Sequence, residues 1–173
     1  MLSQHDLYDS DCHTKLALAQ KLHQTLGTEL QTEHIRLSLT RLKEKARELS
    51  ELMADMGLGR ICAACAAKPN GGCCSRAITD ENDTVQLLMN LMASIQVEVQ
   101  RDNGHECLFL GYNGCTLAFK PFYCLNYDCQ AIKEQAKAQR GGRYDHLRGA
   151  LLQEQWRLEQ LLLELMAQLG KFR

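Results

Sequence analysis

Cys62, Cys65, Cys73, Cys74, Cys107, Cys115, Cys124 and Cys129 crowd the middle of this sequence, while a ninth cysteine, Cys12, stands alone near its start. Thiolates are soft ligands, suited to zinc and to iron–sulfur clusters. Cys62-Ala63-Ala64-Cys65 is the local unit from which such sites are built: a short turn lets two sulfurs converge, and alanines leave room around them. A redox dithiol shares that CxxC spacing, but it wants a helix start within a βαβ unit. Here a helical pattern precedes the pair and a Gly/Pro loop follows. Cys73 and Cys74 are adjacent, so their sulfurs serve different atoms of a cluster or different sites, or one ligates and the other packs. The total of eight suits two four-thiolate sites, or one site with spare thiols.

Disulfides are the competing use of so many cysteines. They belong to oxidising compartments. The N-terminus, Met1-Leu2-Ser3-Gln4-His5-Asp6, has neither the basic start nor the apolar stretch of a secretory signal, so a cytoplasmic protein with reduced thiols is expected. No window approaches the eighteen or so apolar residues of a membrane span. The net charge of −1 carries no basic excess, so no nucleic-acid partner is expected. Hydrophobic residues make up 45% of 173, enough for one domain with a real core.

The elements that must position the cysteines are mostly helical. Asp9-Ser10-Asp11 offers caps for a helix over about 11–26, with Leu16, Ala19, Leu22 and Leu26 on one face. A second helix over about 29–56 carries Ile35, Leu39, Leu42, Ala46, Leu49, Met53 and Met56 as a narrow seam, and Gly57 and Gly59 end it. Residues 62–75 read as a loop, since Pro69-Asn70-Gly71-Gly72 cannot continue a helix. A third helix, capped by Thr79 or Asp80, runs to about Ala93. The period then changes to two at Ile95, Val97 and Val99, and Asn103-Gly104 and Asn113-Gly114 follow. That pattern predicts a three-stranded antiparallel meander. A plain turn at Asn113-Gly114 pairs Tyr112 with Cys115 and puts Cys107 and Cys115 on opposite faces, unless a bulge at Gly111 restores a common one. A short helix over about 129–139, a Gly141-Gly142 hinge and a long leucine-rich helix over about 144–169 complete the chain.

The fold class expected is therefore α+β and mostly helical, as one domain over 1–173. Long helices in 1–59 and 143–173 pack on a cysteine-rich module over 60–130 that carries the meander. Their leucines also admit a protein partner or a second copy of the chain. Phe119, Phe122, Tyr123 and Tyr127 read as an apolar shell over the thiolates. His105 and Glu106 are further ligand candidates, weighed against plain solvation, and His13, His23 and His34 read as surface residues. No phosphate-binding glycine loop, dinucleotide motif or nucleophile elbow is present.

Cys62-x-x-Cys65, Cys73-Cys74, Cys107-Leu108-Phe109-Leu110, Gly114-Cys115, Lys120-Pro121-x-x-Cys124 and Tyr127-x-Cys129 together resemble the YkgJ-like CxxC…CC cysteine-cluster family. That family is described as a zinc- or iron-chelating domain, and the likeness covers about residues 60–130. The gap before Cys73 is longer than the family's usual one, and Lys120 stands where an arginine often precedes the proline. The resemblance implies that the eight clustered cysteines are metal ligands, and it favours an iron–sulfur cluster serving electron transfer, redox sensing or metal handling. The alternative is a structural Zn²⁺ site in an interaction module whose long helices bind a partner. The resemblance supplies no reaction.

Overall fold

Asp11 starts the first helix: its carboxylate accepts hydrogen bonds from the backbone amides of His13 and Thr14, satisfying donors that a helix start leaves bare. In the computed structural model, which describes residues 2–68, 72–139 and 141–171, this helix, α1, spans Cys12–Thr25. A π-helical turn at His5–Asp9 precedes it, and Leu2 donates its amide to the Lys171 carbonyl, tying the two ends of the chain. After a 3₁₀ turn at Glu29–Gln31, α2 runs over Glu33–Asp55. Ile35, Leu42, Ala46, Leu49 and Met56 of the expected seam are buried, with Leu39 and Met53 partly so.

Gly57 adopts φ +66°, the left-handed conformation glycine tolerates, and turns the chain into α3, Leu58–Ala66. This corrects two expectations. Cys62 and Cys65 lie on a helix, and Gly59 sits inside that helix instead of ending α2. The loop signal at Pro69-Asn70-Gly71 lies outside the described residues. The expected third helix starts later than its predicted Thr79 or Asp80 cap: a short α4, Arg76–Thr79, precedes it, and α5, Thr84–Met92, is capped by Asp83, which accepts from the Gln86 amide at 2.7 Å.

The meander reduces to a two-stranded antiparallel sheet, β1 (Leu110–Gly111) and β2 (Gly114–Cys115). Gly111 pairs with Gly114 and Leu110 with Cys115, so the tight turn is Tyr112-Asn113, one residue earlier than expected. Ile95–Val99 forms no strand, although Gln100 still donates its amide to the Leu108 carbonyl at 2.7 Å. Then come α6 (Phe122–Asn126), α7 (Gln130–Gln139) and α8 (Gly141–Gln168). The expected hinge glycines belong to the first turn of α8.

α8 packs along α2, and α5 packs on both α1 and α8. The core face of α8 is Tyr144, Leu147, Leu151, Leu158, Leu162 and Met166. Trp156 and Leu169 remain exposed. The class is thus α+β and mostly helical, as the pattern predicted. No helix among the described residues is long and apolar enough to cross a membrane.

Candidate metal centre

Cys62 and Cys65 occupy the last turns of α3, and a spacing of three puts both on one helix face. Gly59, one turn earlier, lets α3 lie directly on the hairpin: a Cβ there would overlap the Asn113 carbonyl, and one on Gly114 would come within 2.9 Å of the Gly59 Cα. Gly72 does the same for the next segment. A Cβ on it would meet the Cys65 sulfur at 2.7 Å, so a side chain there would have to displace that thiol.

Cys73 and Cys74 enter a single antiparallel bridge, Ser75 opposite Glu106. Arg76 donates its amide to the His105 carbonyl at 2.7 Å, and Cys107 donates to the Cys74 carbonyl at 3.0 Å. The Glu106 carboxylate is held by Arg101 and by Asn103, whose own side-chain oxygen caps the amides of His105 and Glu106. His105 is exposed, and neither it nor Glu106 faces the thiols. The Leu110 amide bonds back to the Cys107 carbonyl at 3.1 Å, a turn that separates Cys107 from β1. Strand alternation therefore does not govern Cys107, and it reaches the same cavity as Cys115 without a bulge.

The segment leading to Cys124 is aligned by α5. Asn90 is fully buried; its Oδ1 accepts the amides of Ala118 and Phe119, and its Nδ2 donates to the Phe119 carbonyl at 2.9 Å. Gln86 donates to that carbonyl as well, and Gln155 of α8 donates to the Lys120 carbonyl at 3.0 Å. Cys124 then lies in α6, and Cys129 immediately precedes α7. Between them, Arg148 of α8 donates to the Leu125 carbonyl and to the Asp128 carboxylate, each at 2.7 Å, while stacking over the Tyr144 ring. Asn90, Gln86, Gln155 and Arg148 are the positioning residues that sequence reasoning missed. The only signal for them is a polar residue at a core-facing helix position.

So placed, the eight cysteines line two adjoining cavities. The outer one, of 310 Å³, is walled by Cys62, Cys65, Cys73, Cys74 and Cys129, with Tyr123 and Tyr127. The inner one, of 190 Å³, is walled by Cys62, Cys74, Cys107, Cys115 and Cys124, with Lys120. Cys62 and Cys74 belong to both. Cys73 reaches only the outer cavity, which it shares with Cys74. Cys12 is fully buried in the core and lines neither. Tyr123 and Tyr127 stack at 5.3 Å over the outer cavity, but Phe119 is a core residue and Phe122 points elsewhere. The aromatic shell is thus two tyrosines, not four rings. All nine cysteines are unpaired.

The thiols are electrostatically unequal. A hydrogen bond with Cys74 pulls the Cys62 thiol down, and the same donor holds Cys73 down to about 6. Cys74, sharing its proton with both and buried besides, is pushed far up. Burial and neighbouring thiols raise Cys124 to about 12, and burial raises Cys115. The Lys120 ammonium opposes these rises. Thiols so crowded cannot all ionise unless a cation shares their charge. Among the described residues no three of these side chains converge closely enough to ligate one ion. The donor chemistry fits a thiophilic metal group, and the sulfurs surround open space instead of closing on a point.

No protein-family model matches this chain, and no curated protein or solved structure matches it either.

Proposed function

We propose that this chain is a metal-binding cysteine-cluster protein whose thiols hold an iron–sulfur cluster, as its YkgJ-like pattern implies, for electron transfer, redox sensing or metal handling. One observation carries this reading: folding brings all eight clustered cysteines, from four separate segments, to two cavities that share Cys62 and Cys74. Cys65, Cys73 and Cys129 would hold a group on the outer side and Cys107, Cys115 and Cys124 on the inner side, with the shared pair serving both. A structural zinc site closes four ligands tightly around one ion. Sulfurs spread around a 310 Å³ void suit a polynuclear group better. Bound there, a cluster supplies one-electron chemistry. The protein contributes the Lys120 charge, which offsets the thiolates, and the tyrosine pair, which limits access of water.

The unpaired thiols suit the cytoplasm, where they stay reduced. The charge balance supports no nucleic-acid partner, and no membrane partner is proposed. Zn²⁺ in the same cysteines is the second reading, favoured by the Cys62–Cys65 pair on one helix face. In that reading the long helices bind a protein partner or a second copy, yet α2 and α8 already cover most of each other's apolar face.

Elemental analysis and a visible spectrum on protein purified without air test the proposal. Iron with matching acid-labile sulfide and a brown colour is the expected result. Colourless protein with one or two zinc ions favours the second reading, and metal-free protein with paired thiols overturns both.

A further inference from the structure

One face of α2 walls a further cavity, of 390 Å³, that adjoins the inner thiol cavity. Lys43, Ala46, Arg47 and Ser50 recur along that helix at spacings of three and four, so they stand on one side of it. The facing wall is the segment from Cys115 to Lys120. Asn90 of α5 accepts the amides of Ala118 and Phe119, which fixes this wall in place. Ala93, Leu125 and Leu151, all buried, close the floor. Met53, Ile95 and Ala118 are only partly buried, so they leave the cavity an apolar surface that a ligand can cover.

The charges here are lopsided. Lys43, Arg47 and Lys120 line the cavity, against one carboxylate, Glu51. Glu51 is already paired with Arg47 at 2.8 Å. Among the described residues Lys43 and Lys120 have no ion-pair partner. The residues one helical turn from Lys43 are Leu39, Thr40, Ala46 and Arg47, and none is acidic. Two unpaired ammonium groups thus reach an apolar cavity from opposite walls. An inorganic anion would leave the apolar surface uncovered, and an alcohol would leave the ammonium groups unpaired. The volume falls in the range of small-molecule sites.

We infer that this cavity binds a medium-chain monocarboxylate, its carboxylate between Lys43 and Lys120 and its hydrocarbon part along Met53, Ile95 and Ala118. The cavity shares Ser50, Met53, Cys115 and Lys120 with the inner thiol cavity, so the bound acid sits beside the thiols without using one. The inference does not depend on which metal group the thiols hold.

Octanoate is titrated by calorimetry into the full-length protein at neutral pH, below its micelle-forming concentration, with octanol and octylamine as separate probes. Saturable binding of octanoate is expected, about tenfold weaker with octanol and absent with octylamine. Lys43 is exposed and lines neither thiol cavity, so Lys43→Gln should fold and keep its metal. It should weaken octanoate about threefold, and the pair Lys43→Gln and Lys120→Gln at least about tenfold. Lys133→Gln removes an exposed charge on α7, away from the cavity, and should change nothing. In methionine-methyl spectra the Met53 signal, assigned by its loss in Met53→Leu, should move during the titration. The inference is overturned if octanol or octylamine matches octanoate, if octanoate does not saturate, if Lys133→Gln weakens binding as much as Lys43→Gln, or if the Met53 signal stays in place.

Discussion

The Cys107 amide donates to the Cys74 carbonyl at 3.0 Å, fastening the second half of the thiol cluster to the first. Residues opposed across an antiparallel bridge send their side chains to one face, and both cysteines line the inner cavity. Cys74 also borders the outer cavity, as Cys62 does.

Cysteines on the shared wall should therefore matter more than those on one side. Cys62→Ser or Cys74→Ser is expected to remove most bound metal. Cys115→Ser or Cys129→Ser should leave a larger fraction, and Cys12→Ser should leave it all. Anaerobic elemental analysis of the five variants decides. Equal metal content across them would sink the two-cavity arrangement.

Gly59 and Gly114 touch through their backbones, so a methyl group at Gly59 must push α3 off the hairpin. Gly59→Ala should cost about 2 kcal/mol and lower metal content, because Cys62 rides on the displaced helix. Gly149 is the control: it lies inside α8 with open space around it. Gly149→Ala should stabilise by about 0.5–1 kcal/mol through helix propensity alone. Urea denaturation of the two variants measures both signs.

Asn90 binds a whole peptide segment to α5 with one side chain. Asn90→Ala strands one buried and one partly buried amide and weakens the hold on the Phe119 carbonyl, a loss of about 3 kcal/mol. Asn90→Asp should be no better, since it turns an acceptor toward that carbonyl. A lowered urea midpoint with an unchanged slope is the expected signature.

Much of this frame was legible beforehand, for local reasons. Asp11 caps the first helix, and the α2 seam buries as its spacing predicts, because cap and period are properties of a few neighbouring residues. Cys62–Ala66 was misread as a loop because its breakers come later; nothing in Ile61-Cys62-Ala63-Ala64-Cys65 opposes a helix. The turn shifted from Asn113-Gly114 to Tyr112-Asn113 because Gly114, at φ +109°, is needed against Gly59, a contact no local rule contains. Asn90 and Arg148 find their partners 20 or more residues away, so their roles had no sequence signature. That the cysteines gather was foreseeable from number alone. Which ones share a wall was not.

The Asp83 carboxyl is raised from 3.8 to about 6, first by burial and then by Glu159. A raised folded value means that the folded state binds the proton more tightly than the unfolded chain does. Its contribution to stability is complete below about pH 4 and is lost as pH rises through about 6, roughly 3 kcal/mol in all. Asn caps a helix as well as Asp and does not titrate. The stability difference between the parent and Asp83→Asn should therefore change across pH 4–7, with the variant gaining relative to the parent as pH rises. A difference independent of pH would show that the carboxyl titrates alike in both states.

Arg148 braces the far side of the thiol region. Its guanidinium reaches the Leu125 carbonyl, Asp128 and Asp145 from one position in α8. The peptide between Cys124 and Cys129 is thereby fixed to the helical core. Arg148→Met keeps the apolar stem but leaves the Asp128 carboxylate and a buried carbonyl unpaired, so about 3 kcal/mol should be lost. Arg148→Lys keeps the charge, yet one ammonium cannot span three acceptors set for a planar fork, and it should recover less than half. If bracing is the role, metal content in both variants should fall with their stability, since Cys124 and Cys129 sit at the two ends of the released segment. A destabilised Arg148→Met that keeps its full metal content would show that the cysteines hold their places without this arginine.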